Sequence, residues 1–142
     1  MKIAIGSDHG GFEYKKEIIS MLTEQGHNVK DFGTYTTDSC DYPEYAKSVA
    51  KAVADNEYER GILICGTGIG MSIVSNKFKG IRAALCSDTF SAKATREHND
   101  SNILCLGARV ISLDLAKEIT STWIDTPFSN EERHIRRINM IE

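Results

Sequence analysis

Apolar residues along the chain fall into short, separated runs. These occupy residues 2–5, 29–32, 61–65, 81–86 and 103–106, and they mostly lack polar–apolar alternation. Strands buried on both faces look like this. Between the runs, apolar residues recur at helical spacing. Tyr14, Ile18, Met21 and Leu22 share one face, as do Ala46, Val49, Ala50 and Val53, and later Leu115, Ile119 and Trp123. Strands alternating with amphipathic helices predict right-handed crossovers and a parallel sheet. The pattern therefore predicts a single Rossmann-like three-layer α/β/α domain over residues 1–142. It has a five-stranded parallel sheet and an extra C-terminal helix over about residues 130–141.

Ligands of open parallel sheets bind outside the carboxyl ends of the strands. The residues following each run are therefore the candidates for chemistry. Ser7, Asp8, His9, Gly10 and Gly11 follow the first run. Gly33 and Thr34 follow the second, with Asp41 and Tyr42 further on. Cys65, Gly66, Thr67, Gly68 and Gly70 follow the third, Ser87 and Asp88 the fourth, and Gly107 and Arg109 the fifth. Acids, an imidazole, a thiol, a hydroxyl, a phenol and a guanidinium converge on one rim, as a site for a polar small molecule requires.

The stretch GILICGTGIGMSIVSN, residues 61–76, carries the densest signal. It is a poor dinucleotide fingerprint. Gly66 and Gly68 fit the first two glycines, but the third position is Met71 and the motif follows the third strand. No Gly-Lys-Ser/Thr occurs, so it is not a Walker loop either. What remains is a strand, a tight turn and a helix start whose free N–H groups can hold an anion or a developing oxyanion. The same dipoles favour a thiolate at Cys65, which could act as nucleophile or general base. The competing reading is a small buried filler, and Cys86 and Cys105 are read that way. The place of Cys65 at the strand end, before glycines, favours chemistry.

Other groups read two ways. Asp8 and His9 suit a site or a helix cap. His98 and Asn99 suit a site or a polar turn. Arg133 and Arg137, at i and i+4 with His134 beside them, suit a phosphate clamp or a solvated basic face.

Composition narrows the partners. A net charge of −3 gives no reason to expect nucleic acid or an anionic membrane. No apolar run approaches the roughly 20 residues of a membrane span, and the apolar part of the N-terminus is too short for a signal peptide. The four cysteines are scattered without a C-x-x-C pair. That usage predicts reduced thiols in a cytoplasmic protein, with neither a disulfide frame nor a zinc site.

Together, GSDHGGF at the start, DYPEYA at 41–46, ICGTGIGMSIVSNKFKGIRAAL, EHNDSNILCLGAR and RHIRR make the chain resemble the B type of ribose-5-phosphate isomerase, grouped with galactose-6-phosphate isomerase. The resemblance spans essentially the whole length, and residues 65–82 carry it most specifically. Some members of that family lack the cysteine and use a nearby glutamate. Here Gly70, Met71 and Ser72 offer no acid, so the resemblance is to the cysteine-using group.

The resemblance implies aldose–ketose interconversion of a sugar phosphate through a cis-enediolate, without metal or cofactor. It makes Cys65 the base that moves the proton between C2 and C1, and His98 the residue that assists furanose opening. Thr67 then helps transfer the proton between O1 and O2. The N–H groups of Gly66, Gly68, Ile69 and Gly70 would stabilise the enediolate oxygens. Asp8, His9, Tyr42 and Asn99 would contact the sugar or its phosphate, and Arg109, Arg133 and Arg137 would bind the phosphate. It also implies dimers or tetramers.

His98 raises a geometric question that the pattern itself answers. The helix starting near Asp88 leaves the carboxyl rim and runs back, so His98 falls near the start of the fifth strand. Five residues at about 3.3 Å each put it roughly 16 Å from Cys65 in its own subunit. His98 and Asn99 are therefore expected to complete the site of a neighbouring subunit, making the protein a homodimer with active sites at the interface. Two other readings stay open: a hexose-6-phosphate isomerase acting on allose or galactose phosphate, and a non-catalytic phosphosugar-binding module. Nucleotide binding is the reading the motif supports least.

Overall fold

The computed structural model describes residues 1–142. Five strands form one parallel sheet: β1 (Lys2–Ser7), β2 (Asn28–Asp31), β3 (Arg60–Cys65), β4 (Ala83–Leu85) and β5 (Ile103–Gly107), in the order β2-β1-β3-β5-β4. Six helices complete the fold: α1 (Phe12–Glu24), α2 (Tyr42–Ala54), α3 (Ile69–Ser75), α4 (Thr89–Asn99), α5 (Leu113–Asp125) and α6 (Glu132–Asn139). The predicted three-layer α/β architecture and C-terminal helix are present.

The unalternating runs arise because both faces of the sheet are covered. Ile3, Ile5, Ile62, Ile64, Leu104 and Leu106 face α1 and α5, where Ile18, Leu22, Ile119 and Trp123 close one core. Ala4, Leu63, Cys65, Ile103 and Cys105 face α2 and α3, where Val49, Ala50, Val53 and Met71 close the other. Each large aliphatic side chain buried this way contributes about 1.5–3 kcal/mol. Trp123 is fully buried and still satisfied, because its Nε1 donates to Ser101 Oγ at 2.9 Å.

The strand order reverses between β1 and β3, adjacent strands whose continuations run to opposite sides of the sheet. Such a switch point opens a crevice at the carboxyl ends. The loop after β2 is tied to its wall. Ser7 N–H donates to Gly33 O and Thr34 N–H to Ser7 O, both at 2.8 Å. Beneath it the fully buried Lys15 ammonium donates to Asp31 Oδ1 at 2.6 Å and to Thr34 O. No helix is long and apolar enough to cross a membrane.

Candidate active site

At the switch point an open cleft of about 430 Å³ is lined by Asp8, Tyr42, Cys65, Gly66, Thr67, Ile69, Gly70, Ile73 and Arg109. Eight of these were singled out from the sequence; Ile73 was not. Cys65 ends β3 with its side chain turned to the α2 and α3 face and only 5% exposed. Gly68 N–H donates to Cys65 Sγ at 3.0 Å, so the turn does deliver a backbone donor to the sulfur. This needs Gly68 at φ +77, the left-handed region that side chains other than glycine rarely adopt. Thr67 is exposed on the turn, and its Oγ1 accepts from Ile69 N–H at 3.2 Å. Tyr42 begins α2 with its ring against Gly70.

The other cysteines behave as fillers. Burial pushes the Cys86 thiol up to about 11, and burial followed by the neighbouring Cys65 pushes Cys105 higher still. All four cysteines are free. No group of three or more His, Cys, Asp or Glu side chains is gathered as a metal site.

Asp8 caps the turn after β1 and also borders the cleft, whereas His9 is not among the residues lining it. Asp8 Oδ1 accepts from Gly10 N–H at 2.9 Å and Gly11 N–H at 3.2 Å. His9 Nδ1 accepts from Cys40 N–H at 3.3 Å, which leaves Nε2 to carry the proton of the neutral ring and act as a donor. Arg109 lies over Gly66, and two hydrogen bonds of 2.9 Å, Ala108 N–H to Cys65 O and Arg109 N–H to Gly66 O, bind its turn to the glycine turn.

That junction is tight. A Cβ on Gly107 would stand 2.6 Å from Thr67 O and 2.7 Å from Thr67 C, both backbone atoms. Gly107→Ala should therefore displace the Thr67 turn while leaving the sheet folded. We expect a loss of about 10²-fold in kcat/KM with an unchanged far-UV circular dichroism spectrum, since misplacing reacting groups by about 1 Å has that cost. Wild-type kinetics in this variant would contradict the described packing.

The remaining predicted residues lie elsewhere. His98 and Asn99 end α4, at the opposite end of β5 from Cys65, since Cys65 pairs with Gly107 while Gly61 pairs with Ile103. They line a second cleft of about 380 Å³ with His134, Arg137, Ile138 and Ile141. The α4 terminus is anchored by two arginines. Arg82 donates to Asn99 O at 2.9 Å and Asp100 O at 2.8 Å, and Arg96 to Asp100 Oδ1 at 2.9 Å and Ser101 O. Arg133 joins neither cleft; it is exposed and pairs with Glu131 at 2.8 Å. His134, noted only as a neighbour of the arginines, turns out to be buried. Its ring lies against His98 with centroids 4.5 Å apart, and its Nδ1 is 2.7 Å from Ser129 Oγ. Burial and then His98 lower its pKa below the ordinary histidine value.

Comparison with known proteins decides the family. The family model described as Ribose/Galactose Isomerase matches residues 3–141. The chain belongs to the ribose/galactose isomerase family. Ribose-5-phosphate isomerase B of Escherichia coli (strain K12) is 50% identical over 140 residues, covering 99% of this chain and 93% of that one. D-erythrulose-4-phosphate isomerase of Pectobacterium atrosepticum is 46% identical over 129 residues, covering 90% and 85%. The structure of ribose-5-phosphate isomerase B from Clostridium thermocellum superposes with a TM-score of 0.97 at 52% identity, covering 99% and 95%. Among the members of the ribose/galactose isomerase family, the chain is thus of the ribose-5-phosphate isomerase B type, and it is a sugar-phosphate isomerase.

Proposed function

We propose that the chain interconverts D-ribose 5-phosphate and D-ribulose 5-phosphate through a cis-enediolate, with Cys65 as the base. The observation carrying this reading is the 3.0 Å hydrogen bond from Gly68 N–H to Cys65 Sγ, at the wall of a cleft that also holds Asp8, Tyr42, Thr67 and Arg109. It supports a basic sulfur held beside a backbone donor. The carbon acid needs that pairing, because the C2 proton becomes removable only as charge on O1 is stabilised.

The steps follow from the chemistry. His98 takes the proton of the anomeric hydroxyl and returns one to the ring oxygen as the C1–O4 bond breaks, leaving an open aldehyde. The Cys65 thiolate removes the C2 proton, and electrons move to O1. N–H groups of Gly66, Gly68, Ile69 and Gly70 stabilise the enediolate. Thr67 assists proton transfer from O2 to O1. Cys65 then returns its proton to C1, giving the ketose. One base can serve both carbons because they are adjacent. Arg109, Asp8, His9 and Tyr42 hold the sugar phosphate from one subunit. His98, Asn99, Arg133 and Arg137 come from its neighbour in a homodimer, and dimers of this kind can pair further into tetramers. The placement of the two clefts at opposite ends of β5 supports this division. Arg133 would have to leave Glu131 to join the phosphate, a rearrangement that an exposed ion pair allows at little cost. The free cysteines fit a reducing compartment, which supports a place in cytoplasmic pentose phosphate metabolism.

The test is conversion of D-ribose 5-phosphate with EDTA present and no cofactor added, compared with D-allose 6-phosphate, D-galactose 6-phosphate and D-erythrose 4-phosphate. The expected result is the highest kcat/KM on the five-carbon aldose. Preference for a six-carbon substrate would favour the hexose phosphate reading, and binding without turnover of any would favour the non-catalytic one.

A further inference from the structure

His134 is a buried polar side chain beside the second cleft that the steps above leave unused. It is 5% exposed, although it lies on a helix whose other polar side chains face outward. Its Nδ1 meets Ser129 Oγ at 2.7 Å. Ser129 is itself fixed: its N–H donates to Glu97 O in the last turn of α4 at 3.3 Å, and its hydroxyl accepts from Glu131 N–H at 3.2 Å. Glu97, Ser129 and His134 therefore form a chain from α4 to α6 that returns to α4 at His98.

His98 is in the opposite situation. It is exposed, and the contact that defines its ring is the face of His134, with centroids 4.5 Å apart and planes inclined by 38°. An exposed histidine samples several χ1 and χ2 positions. A group that must reach both an anomeric hydroxyl and a ring oxygen gains rate from being held in one. Burial first, then His98, Arg133 and Arg137, lower the His134 pKa from its ordinary value, with Glu131 alone opposing.

We propose that His134 is a positioning residue for His98, holding its imidazole in the orientation needed to open the sugar ring, with Ser129 fixing His134 in turn. The inference rests on the ring-opening role proposed for His98.

The test separates ring opening from proton transfer at carbon. D-ribulose 5-phosphate is open-chain, because its C5 hydroxyl is esterified and cannot close a furanose. Exchange of solvent deuterium into its C1 position therefore needs the Cys65 step but no ring opening. In the full-length enzyme, His134→Ala should lower kcat for D-ribose 5-phosphate by about 10- to 100-fold while the C1 exchange rate and its KM stay within about twofold of wild type. His134→Phe keeps a ring against His98 and should recover most of the loss. Ser129→Ala should show a smaller loss with the same split.

Equal losses in turnover and exchange, or a KM rise in both, would overturn the proposal by assigning His134 to the fold or to phosphate binding. Wild-type turnover in His134→Ala would overturn it too. His98→Ala, run in parallel, isolates the underlying reading. If that variant fails to separate turnover from exchange, the ring-opening role of His98 falls and the role of His134 falls with it. If it separates them and the His134 variants do not, only the positioning role falls.

Discussion

Cys65→Ala should abolish isomerisation, lowering kcat for D-ribose 5-phosphate by about 10³-fold or more with little change in KM. The substitution removes one sulfur from the edge of a packed layer, where Cys65 is 5% exposed beside Met71 and Cys105. The packing loss is about 1 kcal/mol, too small to unfold the chain. Gly68 N–H is buried and would lose its partner in the variant, adding about 1–3 kcal/mol, still within the stability of an ordinary domain. No other group can take over as base. Cys105 faces the same layer but is fully buried, with its thiol pushed far up, and Asp8 has Oδ1 committed to two backbone N–H groups. The loss should appear equally in deuterium exchange at C1 of D-ribulose 5-phosphate, in contrast to the split expected for His98 and His134. Retained exchange in Cys65→Ala would remove Cys65 from the chemistry and return it to the role of core residue.

Much of this was legible because the sheet is covered on both faces. Ile62 and Ile64 point one way and Leu63 and Cys65 the other, so the run has to be apolar throughout. Rim residues were legible because a parallel sheet places the residues after each strand at one edge, and the cleft collects them from four loops.

Strand limits were less so. The fourth run begins at residue 81, but the strand begins at Ala83, because Arg82 N–H is taken by the Asn102 side chain at 2.8 Å instead of the ladder. The first strand runs on through Gly6 and Ser7, since Ser7 still pairs with Ile64. Spacing also misled at α6. The i, i+4 pattern of Arg133 and Arg137 suggests one clamp, yet Arg133 turns to Glu131, two residues earlier, and only Arg137 lines a cleft. His134 gave no signal of its own, because its partner His98 is 36 residues away in sequence and is brought near only by the packing of α4 on α6. The contact of Cys40 with His9 was invisible for the same reason.

On the proposed mechanism neither cleft is sufficient alone. Cys65, Thr67 and Arg109 lie at the carboxyl end of β3 and β5, and His98 and Asn99 at the other end of β5. Exposed apolar residues line both clefts: Ile69 and Ile73 the first, Ile141 the second. A two-fold dimer that sets one cleft against the other would cover these and assemble two sites, each with Cys65 from one chain and His98 from its partner.

The decisive measurement is therefore subunit complementation. Cys65→Ala and His98→Ala are purified separately, mixed in equal amounts, dissociated and reassembled, and assayed on D-ribose 5-phosphate. In a mixed dimer one site carries both substitutions and the other carries neither. Random reassembly should then restore about a quarter of the wild-type activity from two preparations that are each nearly inactive. Activity no greater than the sum of the two parents would contradict the shared site and place both residues in the service of a single chain.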